Sequence, residues 1–142
     1  MAEEISQESG RVEIEDADTL MRWVHKFNTD RRADGSVKKL RPGAFPLAPQ
    51  DKKGFSLYLE KLMSFETCKA KAIAENPLHI GIVRLTARDF RDFDLDVEQS
   101  PEDDELAHCQ VTKYESKSDA DLTNIARAWI QRTQNTYTPI SP

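Results

Sequence analysis

Residues 51–60 carry the most informative pattern in the chain: Phe55, Leu57 and Leu59 alternate with Ser56, Tyr58 and Glu60. A period of two is the signature of a half-buried strand. Gly54 opens it after the charged turn Asp51-Lys52-Lys53. Its other face sets a hydroxyl and a phenol beside a glycine, where a ligand could approach the backbone closely. Residues 79–86, His-Ile-Gly-Ile-Val-Arg-Leu-Thr, form the clearest strand. In 106–114, Ala107, Cys109 and Val111 alternate with His108, Gln110 and Thr112. Leu95 and Val97 suggest a further strand, interrupted by acidic residues.

Helical signals fall between and after these strands. Ser64 is a good N-cap, Glu66 suits a first turn, and Phe65, Cys68, Ala72 and Ile73 are the apolar positions; Asn76-Pro77 ends the pattern. Thr86-Ala-Arg-Asp89 reads as a capping box opening a short helix. Ser118-Asp-Ala-Asp121 reads as a second, followed by the stripe Leu122, Ile125, Ala126, Trp129 and Ile130. Residues 18–28 fit either period. Leu20, Trp23, Val24 and Phe27 make a helical stripe that Asp18 could cap. Trp, Val and Phe also favour strands, which would put Arg22, Val24 and Lys26 on one face and Met21, Trp23, His25 and Phe27 on the other. Asp34-Gly35 is a turn signal, and Pro42, Pro46 and Pro49 punctuate an extended segment with Ala44, Phe45 and Leu47 as its apolar content. The expected organisation is a disordered N-terminus at 1–10, one domain at 11–133 and an extended or mobile tail at 134–142. Strands outnumber helices, which suits an α+β domain with a bent, mostly antiparallel sheet and two or three helices.

Composition narrows the function classes. The chain has 142 residues, enough for one compact domain, and its net charge of −5 argues against nonspecific binding to nucleic acid or an anionic membrane. Cys68 and Cys109 make neither a disulfide framework nor a CxxC site, so two reduced, buried thiols are expected. The N-terminus is acidic and polar, unlike a signal peptide, and no run approaches the ~20 apolar residues that span a bilayer. A soluble cytoplasmic protein is expected.

The chemistry-bearing residues are few. His25, His79 and His108 form no HxxxH or HExxH pair, so no metal site is expected. No Gly-x-Gly-x-x-Gly, Walker loop or Gly-x-Ser-x-Gly is present; Gly54-Phe-Ser56 continues Leu-Tyr, which is not a nucleophile elbow and makes a Ser-His hydrolase a weak reading. The remaining constellation is His25, Ser56, Tyr58 and His108, with Ser56 and Tyr58 on one sheet face. Each also has an ordinary reading. His25 packs beside Trp23, Ser56 and Tyr58 are sheet-surface residues, and His108 pairs with carboxylates of the acidic loop at 100–105. His79 reads as a surface residue at a strand start. The basic run Arg31, Arg32, Lys38, Lys39 and Arg41 is offset by only two aspartates, so it reads as a solvated face or as a contact for an acidic or phosphate-bearing partner.

The order Arg22-Trp-Val-His25, Asp51-Lys-Lys-Gly-Phe-Ser56, a helix, the strand 80–85 and Ala107-His108 resembles small bacterial proteins of the ADP-ribosyltransferase-like fold. One group in that class has a Gly-Phe-Ile-His-x-Ser strand and a late Pro-His, and the fold also includes the RNA 2′-phosphotransferases. The resemblance covers roughly residues 20–114 and takes residues 18–28 as a strand. It implies that His25, or Arg22, meets the nicotinamide-side ribose, that Ser56 and Tyr58 complete the ligand contacts, and that His108 orients the reacting ribose. The late Glu of that fold is His108 here, with Glu105 close by. Two functions are therefore expected. The first in rank is an accessory or immunity-type interaction protein of a bacterial operon, which binds a protein partner through its charged patches and needs no cofactor. The second is a domain that binds or uses an NAD-like nucleotide, with Ser56 and His108 across one cleft.

Overall fold

The computed structural model describes residues 12–47, 54–100 and 105–140. The disorder expected at 1–10, the charged turn at 51–53 and most of the acidic loop, at 101–104, lie outside those residues. In chain order the elements are β1 (Thr19–His25), β2 (Thr29–Arg31), β3 (Val37–Leu40), β4 (Ser56–Leu59), α1 (Phe65–Glu75), β5 (His79–Thr86), α2 (Ala87–Arg91), β6 (Asp96–Gln99), β7 (His108–Thr112), α3 (Asp119–Arg132) and β8 (Thr138–Pro139). A six-stranded sheet has the order β6-β7-β4-β1-β5-β8, and β2 and β3 form a separate hairpin. The strand pairings are antiparallel, so the chain is an α+β domain with helices packed on its sheet.

The N-terminal ambiguity resolves as a strand. β1 pairs with β5 from Thr19↔Thr86 to His25↔His79 and with β4 at Leu20↔Leu59 and Met21↔Tyr58. Central position explains why its apolar residues do not alternate: Leu20, Met21 and Val24 are all fully buried, because both faces of the strand are covered. Phe27, the last residue of the would-be helical stripe, sits in a 3-10 helix at Lys26–Asn28 and is 69% exposed.

β4 differs from its half-buried expectation for the same reason. It lies between β1 and β7, and Tyr58 is buried along with Leu57 and Leu59. Gly54 also has a structural explanation. A Cβ there would collide with the Val111 carbonyl oxygen, so the close approach is made by the protein's own strand β7 rather than by a ligand.

The helix signals hold. Ser64 caps α1 by accepting from the Thr67 amide, and Ser118 caps α3 by accepting from the Asp121 amide. Asp89 completes the α2 box by accepting from the Thr86 amide at 2.7 Å. The Asp34-Gly35 turn joins β2 to β3, with Gly35 at φ +91°, a left-handed conformation that glycine adopts without steric cost. The proline-punctuated segment is less extended than expected, since Pro42–Ala44 forms a 3-10 turn that drives Ala44 and Phe45 into the core.

The two sheet faces are covered differently. On one, Leu20, Val24, Leu57, Leu59, Val83, Leu85 and Val111 meet Phe45, Phe55, Phe90 and the α3 stripe. Trp129 is the hub: its ring packs on Phe45, Phe55 and Phe90, and its Nε1–H donates to the Asp89 carbonyl at 2.8 Å. On the other face, Met21, Tyr58 and Ile82 pack under Cys68 and Ala72 of α1. The C-terminal segment, expected to be extended or mobile, is extended and docked up to Ile140. β8 pairs with β5, Ile140 is only 3% exposed, and the Ile140 amide donates to the Ile80 carbonyl at 3.0 Å.

Candidate functional site

α1 is too short to cover its whole sheet face. Its eleven residues end at the Asn76 cap, and a cleft of about 690 Å³ remains between its last turns and the sheet. The sheet supplies Trp23, Ser56, Tyr58 and His108 to this cleft, α1 and its cap supply Lys71, Glu75 and Asn76, and His79 and Arg22 also line it.

Register brings Ser56 and His108 together. Tyr58 pairs with His108 and Ser56 with Gln110, so Ser56 and His108 are diagonal neighbours on one face, within side-chain reach. His108 Nε2 and Ser56 Oγ are 3.0 Å apart. His108 Nδ1 lies within hydrogen-bond distance of the Ser100 carbonyl oxygen. A carbonyl can only accept, so Nδ1 carries a proton, and in the neutral ring Nε2 is then the acceptor for the Ser56 hydroxyl. The imidazole is 2% exposed, whereas Ser56 is half-buried and opens to the cleft.

The aromatic rings form a continuous wall. Tyr58 stacks on Trp23 with centroids 5.0 Å apart and packs edge-on against His108 at 5.6 Å. Trp23 Nε1–H donates to Cys68 Sγ at 3.2 Å, which fixes the indole under α1. His79 lies 5.0 Å from Trp23, and its Nδ1–H donates to the Ala72 carbonyl at 2.8 Å, tying the ring to the last turn of α1.

Arg22, which the resemblance offers as a ligand contact, lines the cleft and is also bound to the backbone beneath it. β1 and β4 pair no further than Met21↔Tyr58 at this end. There the guanidinium donates to the Ser56 carbonyl at 3.0 Å and the Ala44 carbonyl at 3.1 Å, and lies 4.7 Å over the Phe55 ring. Burial pushes its pKa down to about 10, which leaves it cationic at neutral pH. It holds the Ser56 backbone in place where ladder hydrogen bonds stop.

The structure does not bring His25 to the Ser56–His108 pair. Its Nδ1 accepts from the Phe27 amide at 3.1 Å, and its ring packs on Phe27 and, 5.9 Å away, on His79. His79 stands between His25 and the cleft wall, and it is the histidine that sequence reasoning left on the surface. The His25↔His79 pairing of β1 and β5 explains the substitution, a non-local fact that neither segment shows alone.

The basic run forms a second, separate surface. Arg31, Arg32, Lys38, Lys39 and Arg41 are exposed around the β2–β3 hairpin, and none of them lines the cleft. Arg41 Nε pairs with Asp30 at 2.6 Å, holding that carboxyl below its usual range, and Lys39 approaches the same carboxylate at 3.9 Å. Arg32 donates to the Val37 carbonyl at 2.9 Å. Among the described residues, Arg31 and Lys38 have no ion-pair partner.

Cys68 and Cys109 are free and buried, and burial pushes their thiols up to about 11 and about 12. Among the described residues, no cluster of three or more His, Cys, Asp or Glu side chains could hold a metal ion, and no helix is long and apolar enough to cross a membrane. Comparison with protein-family models, with curated proteins and with solved structures returned no significant match.

Proposed function

We propose that the cleft binds a nucleotide-like ligand, with NAD the first candidate, in an ADP-ribosyltransferase-like domain. The observation that carries this reading is the Ser56–His108 hydrogen bond at 3.0 Å, opening into a cleft walled by Trp23 and Tyr58. Aromatic faces suit a planar heterocycle, while Ser56, Asn76 and His79 offer the mixed donors and acceptors that ribose hydroxyls require. Lys71 is the exposed cation on the rim; it lies 3.8 Å from Glu105, a spacing loose enough for an anionic group to compete for it.

A thermal unfolding series with NAD tests the proposal. A ligand that binds only the folded chain raises the midpoint, by about 2.7 kcal/mol of stabilisation at a hundred times its dissociation constant. The expected result is an upward shift that shrinks in Ser56→Ala. No shift at millimolar NAD overturns the nucleotide reading.

A second reading is favoured by the hairpin. In it, the chain is an accessory subunit of a cytoplasmic bacterial assembly, and the cations around Arg31 and Lys38 dock an acidic protein surface. The expected result is a stoichiometric partner that salt releases and that Arg31→Glu with Lys38→Glu loses. A pull-down returning no such partner counts against it.

A further inference from the structure

We infer that Ser56 is a nucleophile activated by His108, so that the cleft accepts an acyl group from an activated ester. This goes beyond ligand binding but rests on the same cleft reading, since Ser56 must face bound substrate. Two geometric requirements of a serine nucleophile are met: a base within hydrogen-bond reach of the hydroxyl, and a third group that fixes the base. His108 Nε2 lies 3.0 Å from Ser56 Oγ, and the Ser100 carbonyl accepts from Nδ1–H. Those two contacts leave Nε2 with its lone pair aimed at the hydroxyl and give the imidazolium formed on proton transfer an immediate dipole partner.

The surroundings match these roles. The base is 2% exposed, whereas the nucleophile opens to the cleft. Arg22 pins the Ser56 carbonyl, so the strand cannot move the hydroxyl off its base. Lys71 lines the same cleft and supplies positive charge for a developing oxyanion. The signal differs from a nucleophile elbow because orientation comes from strand register, Tyr58↔His108 and Ser56↔Gln110, instead of a strained turn.

In the reaction, Ser56 Oγ attacks the carbonyl carbon as its proton passes to His108 Nε2. The tetrahedral intermediate then collapses, the bond to the leaving oxygen breaks, and His108 returns the proton to that oxygen. An acyl-Ser56 ester and the free alcohol remain. Water then repeats the sequence, with His108 as base, to release the carboxylic acid and restore Ser56.

The test is labelling with an alkyl fluorophosphonate followed by mass mapping. Here the Ser56 Oγ–P bond forms, the P–F bond breaks, fluoride leaves, and the proton reaches solvent through His108. The expected result is one label per chain on Ser56, none in Ser56→Ala, and labelling slowed about a hundredfold or more in His108→Gln, the usual contribution of a general base. If His108→Gln does not fold, the comparison is between the folded wild-type chain and the same chain in urea, with faster labelling of the folded form expected. An unlabelled wild type, a label on another residue, an undiminished rate in folded His108→Gln, or equal folded and unfolded rates each overturn the inference. The probe needs no nucleotide. Labelling without an NAD shift would keep the nucleophile and reject the nucleotide, and an NAD shift without labelling would do the reverse.

Discussion

The two faces of the sheet are built from the same strands yet have opposite characters. Behind β1 and β4, Trp129, Phe45, Phe55 and Phe90 interlock with aliphatic strand residues and the α3 stripe. In front, a shorter helix with two small buried residues, Cys68 and Ala72, covers only part of the surface. The cleft it leaves beside it is lined by aromatic and polar residues: Trp23, Tyr58, Ser56, His108 and His79. Burying apolar area stabilises the first face, while the second lines a cleft with half-buried Trp23, Ser56 and His79 beside buried Tyr58 and His108, which suits recognition better than stability. The two tryptophans report the difference directly, one at the hub of the core and one on the cleft wall.

The largest expected effect breaks the comparison at those two residues. Trp129→Ala should cost about 3–5 kcal/mol, because a fully buried ring leaves a cavity ringed by other aromatics. Trp23→Ala, on a half-buried ring, should cost much less while weakening any ligand. Urea unfolding of both variants checks this, and equal losses would erase the distinction between the faces.

Next comes the residue that links the faces. Arg22→Met keeps most of the side-chain volume but strands the Ser56 and Ala44 carbonyls, at about 1–3 kcal/mol for groups left unpaired. Lysine at this position should recover only part, since it cannot reproduce the forked donation. A loss near zero by the same unfolding measurement would remove Arg22 as the support beneath Ser56.

The thiols sharpen the comparison without altering stability. Cys68 lies on the cleft side and Cys109 on the core side, yet burial raises both, to about 11 and about 12. A disulfide reagent at pH 8 should find no rapidly reacting thiol in the folded chain and two after unfolding. Fast reaction of Cys68 would mean that α1 lifts off the sheet.

The smallest effect lies near the start of β1, away from the cleft. Asp18 accepts from Lys61 Nζ at 2.6 Å, and this hydrogen bond lowers its carboxyl below the usual 3.8. A depressed carboxylate contributes stability that is present above its unfolded value and lost as pH falls through the folded one. Asp18→Asn should therefore cost a small amount of stability above about pH 4, neutrality included, and flatten the acid limb so that the variant and wild-type curves converge as pH falls below it, as urea unfolding across pH would show.

Local signals in the sequence were reliable where the physics is local. Ser64, Asp89 and Ser118 cap or box their helices as their spacing suggests, and Asp34-Gly35 turns. What escaped is what neighbours decide. β4 reads as half-buried because its pattern cannot reveal that β1 and β7 flank it, and Gly54 reads as a ligand approach because Val111 is distant in sequence. The tail looks poor in core material, yet Ile140 finds a place beside β5. At the site, alternation suggested that Ser56 and His108 could face each other, but only the β4–β7 register fixes them 3.0 Å apart. The same kind of register places His79, not His25, on the cleft wall.

Tryptophan fluorescence during an NAD titration tests the ligand cleft most directly, because one of the chain's two tryptophans forms its wall and the other lies in the opposite core. Saturable quenching in the wild type that disappears in Trp23→Phe is the outcome expected of a nucleotide stacked in this cleft. Unchanged emission up to millimolar NAD, or the same quenching in Trp23→Phe, would contradict it.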